Sequence, residues 1–168
     1  LKEATERTHM LNKSYLAIME DSLVKKADIL RQLQLLCMEQ SDILDDENMM
    51  PDEFEANVDK KAGLIEKLSE LDEGFDMLFE RVKAELDSNR EQYKEQIHHM
   101  QELIREITDR SVQIQATEAR NKEKAKKQFS GIRSKIREVK QSGKAVSTYY
   151  QNMMKMNAAE PQFWDSKK

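Results

Sequence analysis

The side chains suited to chemistry in this sequence are few, and their spacing limits what each can do. Cys37 is the only cysteine. It falls on a seven-residue apolar repeat, where a small thiol packs as a hydrophobe; a reactive thiolate needs an exposed, electropositive setting. Glu6-x-x-His9 and Glu95-x-x-His98 share the spacing with which two helices of a di-iron carboxylate bundle present their ligands. Such a site also takes an inward glutamate from each of two further helices, and no acidic residue interrupts the first apolar stripe at a suitable depth. His98 and His99 are adjacent, so they point about 100° apart on a helix and cannot close on one ion. No glycine-rich phosphate loop is present. No catalytic residue, no metal ligand and no cofactor is assigned, and the chain is not expected to be an enzyme.

Two further segments offer binding chemistry. Between Arg120 and Lys144 there are ten basic residues against Glu123 and Glu138. The one aromatic in that run, Phe129, belongs to its apolar stripe rather than to a set interleaved with the basic residues to stack on bases, so the run argues against nucleic acid as a partner. Its bulky residues form a narrow seam rather than a broad lipid face, which argues against membrane insertion. Farther on, Tyr149, Tyr150, Met153, Met154, Met156, Phe163 and Trp164 gather methionine and aromatic side chains. Methionine adapts to irregular surfaces, and tyrosine and tryptophan anchor interfaces. The tail therefore reads as a partner-binding segment.

The elements that position these residues are helices. The chain has 168 residues, 36% charged, with only four glycines and two prolines, Pro51 and Pro161. Sheets with many turns are excluded by that scarcity. The first helix is expected over residues 13–44, with Leu16, Leu23, Leu30, Cys37 and Leu44 at one seam position and Met19 and Leu33 at the other, widened by Ile29, Leu36 and Ile43. Residues 1–12 show no apolar periodicity and are expected to be disordered or tag-like, with Met10 as a plausible start. Pro51 marks the clearest break, with Asp52 as a capping residue for the next helix. That helix carries Phe54, Val58, Ile65, Leu68 and Leu71; a kink or short break is expected at Gly74, because glycine inside a helix costs about 1 kcal/mol. Phe75, Leu78, Phe79, Val82 and Leu86 then form a third helix, and Asp87-Ser88-Asn89 offers a further start.

The last segment carries Tyr93, Ile97, Met100, Leu103, Ile104, Ile107 and Ile114, then Glu118 and Asn121 on the same stripe. Ala125, Phe129, Ile132, Ile136, Val139, Gly143, Val146, Tyr150 and Met153 continue its phase. A helix over 90–141 would be about 75 Å long and would project beyond a bundle. The expected fold is all-α: an elongated antiparallel bundle or coiled coil over 13–141 with one very long C-terminal helix, and a binding tail over 142–168. Charge is segregated, with nine acidic and no basic residues between Arg31 and Lys60. This would align oppositely charged, antiparallel helix faces. One cysteine and no long apolar run point to the cytoplasm.

Three stretches also resemble a known family. Asp59-Lys60-Lys61-x-x-Leu64-Ile65-Glu66-Lys67-Leu68-x-x-Leu71-Asp72-x-Gly74-Phe75, Ile114-Gln115-Ala116-x-Glu118-x-Arg120-Asn121-Lys122, and the ending from Tyr149-Tyr150 to Pro161-Gln162-Phe163 are similar to FlgN-type flagellar export chaperones of Gram-positive bacteria. The resemblance implies a small helical cytosolic protein of type III flagellar export that binds the terminal helices of hook-filament junction proteins, prevents their premature assembly and delivers them to the export gate or export ATPase. It implies a cargo face on Phe129, Ile132, Ile136, Val139 and Val146, and a gate contact at Tyr149 or Tyr150; Met153, Met154, Phe163 and Trp164 join the partner-binding set on the composition of the tail. The alternative is a structural coiled-coil adaptor that self-associates as a homodimer through its C-terminal helix.

Overall fold

The seven-residue spacing of apolar side chains produces helices that bury one stripe each. The computed structural model describes residues 1–130. They form α1 (Lys2–Asp45), α2 (Pro51–Ser88) and α3 (Lys94–Gln128), with no β-strand among the described residues. Contacts descend between α1 and α2, where His9 meets Glu85, Lys26 meets Asp72 and Lys61 reaches Gln40. They ascend between α1 and α3, where Glu20 meets His99, Arg31 meets Glu106 and Asp45 meets Lys124. The fold is thus an up-down-up bundle, with α2 antiparallel to the other two. The acidic end of α1 lies beside the basic end of α3, so charge segregation aligns two parallel helices, not antiparallel ones.

The seam of α1 follows the heptad without a skipped position: Leu16, Met19, Leu23, Lys26, Leu30, Leu33, Cys37, Gln40 and Leu44 are all buried. From α3, Met100, Ile104, Ile107, Ser111, Ile114, Asn121 and Ala125 are buried along one stripe, with the flanking Tyr93 and Phe129 buried at its two ends. Leu68, Phe75, Val82 and Leu86 supply the α2 side of the main core.

Several boundaries differ from the sequence expectation. Residues 2–12, expected to be disordered, are helical. They are rich in good helix formers, and they are anchored by His9 Nδ1 and Asn12 Nδ2 on the Glu85 carboxylate at 2.9 and 3.3 Å. The second and third expected helices are one: α2 runs through Gly74 unbroken. A Cβ built on Gly74 would meet nothing within 4 Å, so the glycine lies on an open face, and the buried Phe75 beside it holds the helix against the core. Asp52 is not the cap. Met50 holds the extended backbone expected before a proline, and Pro51 is the first helical residue, where its missing N–H costs nothing. Helix α3 starts at Lys94, not at residue 90, because residues 89–93 make the turn: the Gln92 and Tyr93 amides donate to Asn89 O at 3.1 and 3.3 Å. Tyr93, 4% exposed, fixes that turn against the core. The expected continuation to residue 141 lies outside the described residues.

Candidate functional site

Of the residues read as partner-binding, Phe129 is the one among the described residues; Ile132, Ile136, Val139, Val146, Tyr149, Tyr150, Met153, Met154, Phe163 and Trp164 lie outside them. Phe129 is 3% exposed. Rather than standing open for a partner, it is packed into a small apolar cluster with Leu44, Phe54 and Ala125, flanked by Ile43, Met49 and Val58. Its ring meets Phe54 at 5.3 Å between centroids, tilted by 57°, the edge-on geometry that aromatic quadrupoles favour. Gln128 Nε2 donates to Leu44 O at 2.9 Å and Asp46 O at 3.0 Å. Those two bonds satisfy carbonyls at the C-terminal end of α1, which has no basic residue in its last turn. Lys124 Nζ closes the same corner on Asp45 Oδ1 and Ser41 Oγ, both at 2.8 Å. Among the described residues, this end of the three helices is therefore closed over by Phe129.

Beneath this cluster lies a layer of polar side chains. Lys61 of α2 forms an ion pair with Glu118 of α3 and donates to Gln40 Oε1 of α1 at 3.0 Å. Asn121 Nδ2 donates to Gln40 Oε1 at 3.1 Å and to Cys37 O at 2.9 Å. The Cys37 thiol donates to Glu118 Oε1 at 2.8 Å, and Asn57 Nδ2 donates to Leu36 O at 2.9 Å. Burial holds the Cys37 thiol far above its ordinary range, outweighing the nearby Lys61 cation. It is thus a protonated hydrogen-bond donor inside a network, not a nucleophile. The stripe read from sequence includes Glu118 and Asn121 but passes over Gln40, Asn57 and Lys61. The available signal was their heptad phase: Gln40 stands seven residues after Leu33, and Lys61 seven before Leu68.

The two glutamate–histidine spacings do not converge. His9 belongs to a clasp at the opposite end, where Glu85 also accepts from Asn12 and from the Tyr93 hydroxyl at 3.3 Å. His98 pairs with Glu102 on the surface, and His99 with Glu20. Among the described residues, no group of three or more His, Cys, Asp or Glu side chains could hold a metal ion, and no helix is long and apolar enough to cross a membrane. A surface groove of about 670 Å³ runs between α1 and α2, floored by Leu35, Leu36, Gly63 and Leu64 and edged by charged residues.

Two carboxylates lie below their ordinary range. Hydrogen bonds from His9, then Asn12 and Tyr93, hold Glu85 down; hydrogen bonds from Arg31 and Arg110 hold Glu106 down. A depressed folded-state value means that the unfolded chain binds protons first as pH falls. The stabilisation is therefore complete above the usual glutamate range of about 4.3 and is lost as pH falls through the lower folded values. Urea midpoints measured from pH 7 to 3 are expected to fall less steeply for Glu106→Gln than for the natural chain. An unchanged acid slope would place the acid sensitivity elsewhere.

No protein-family model, curated protein or solved structure matches this chain.

Proposed function

We propose that this protein is a cytoplasmic export chaperone of the flagellar type III pathway, which shields the terminal helices of hook-filament junction proteins and passes them to the export gate. The observation supporting this reading is a mismatch between the bundle and its sequence. The three helices fill their own seam as far as Phe129, and both α1 and α2 turn at that level. The sequence nevertheless carries the same apolar phase on through Ile132, Ile136, Val139, Val146, Tyr150 and Met153. An apolar stripe whose phase continues in the sequence past the level at which α1 and α2 turn is suited to pack against the helix of another protein. A junction-protein terminus that stays unpaired until assembly presents the complementary apolar face.

The test is capture of a junction-protein terminal-helix segment by the full chain, compared with the Ile132→Asp/Ile136→Asp variant. Capture is expected to be lost while the thermal melt read by helical circular dichroism stays within a few degrees of the natural chain. Equal loss of capture and of bundle stability would make these residues core. A tight dimer that takes up no such segment would favour the self-associating adaptor.

A further inference from the structure

The polar layer of Gln40, Asn57, Lys61, Glu118 and Asn121 divides the described core into unequal parts. On one side lie seventeen buried residues from all three helices and the second turn. On the other lie four: Leu44, Phe54, Ala125 and Phe129. The layer itself is imperfectly satisfied. The Asn57 and Asn121 Oδ1 atoms are buried without a hydrogen-bond donor among the described residues, although both side-chain amides are donating. A buried ion pair gives back little more than its desolvation cost, and an unpaired buried acceptor is unfavourable. Packing cooperativity that would otherwise run the length of the seam is therefore weakest at this level.

From this arrangement we propose that the end of the bundle beyond the polar layer, residues 41–56 with 122–129, opens as a unit while the remainder stays folded. Such subglobal units are a general property of proteins where few apolar contacts hold a segment. Opening would uncover Leu44, Phe54 and Phe129, so the same apolar surface is sealed in one state and accessible in the other. The proposal stands on the described residues alone and does not depend on what the protein carries.

Native-state amide exchange on the full chain tests it. Amides of 41–45, 54–56 and 122–128 are expected to exchange roughly tenfold or more faster than those of 27–33, 68–82 and 100–111, with a step at the layer. Phe129→Ala should speed exchange in the first set and leave the second set unchanged. Val82→Ala, in the larger core, should do the reverse. Uniform protection across the layer, a smooth decline from the helix ends with no step, or a joint response of both sets to Phe129→Ala would overturn the proposal.

Discussion

Replacing Lys61 with methionine is expected to lower the unfolding free energy by about 3 kcal/mol, near the lower end of the range for removing one partner of a buried ion pair. The Lys61 side chain is 5% exposed and that of Glu118 is 17% exposed, so the carboxylate left behind has little water to replace its ammonium partner. The Cys37 thiol would still donate to it, which keeps the loss from the upper end of the range. Gln40 Oε1 would lose one of its two donors and keep Asn121. The double variant Lys61→Met/Glu118→Leu removes both charges and fills the layer with apolar atoms. It is expected to regain most of the loss, because the natural pair contributes little beyond the cost of dehydrating it. Urea unfolding monitored by circular dichroism, arranged as a double-mutant cycle, reads the coupling directly. If the two single losses simply add, the pair is not a coupled unit.

The second large effect contrasts two leucines on α1. Leu30 is fully buried at the centre of the larger core, whereas Leu35 is 66% exposed. Truncating Leu30 to alanine removes buried methyl groups and leaves a cavity between three helices that can only partly close. The expected loss is about 2–5 kcal/mol, a large share of a typical domain's stability of roughly 5–15 kcal/mol. Leu35→Ala has the same chemistry on the opposite face and is expected to stay within about 0.5 kcal/mol. Thermal and urea unfolding of the two variants decide the matter. Comparable losses would mean that the Leu35 face is covered in solution, for example by another chain seated in the α1–α2 groove.

Much of the fold was legible residue by residue. The repeat through Leu16, Leu23, Leu30, Cys37 and Leu44, with Met19 and Leu33 between, is the buried seam of α1. The break before Pro51 falls where a proline must end the preceding turn. Less legible were positions where local chemistry and seam phase disagree. Lys26 looks like a surface residue, yet it is buried in an ion pair with Asp72. Asn57 and Lys61 carry the α2 seam in place of the more apolar Val58, which lies only partly buried beside it. Gly74 suggested a break, but its missing side chain faces open space and the flanking core residues keep α2 continuous. The candidate binding residues were read from a continuation of phase and from the methionine and aromatic content of the tail; Phe129 alone among them falls within the described residues, and there it is core.

The order of residues along the chain was enough for the all-helical class, the stripe along each helix and the proline-marked turn, because a helix with 3.6 residues per turn writes its buried face into any single segment. Packing of the three helices on one another was needed to set α1 and α3 parallel, to hold residues 2–12 through Glu85, and to close the end of the bundle with Phe129. The same packing brings Lys61, Gln40, Glu118 and Asn121 to one level. A polar side chain is admitted to a seam only when its partner stands at the same height on another helix. That height is fixed by the register among three helices, which no one of them encodes.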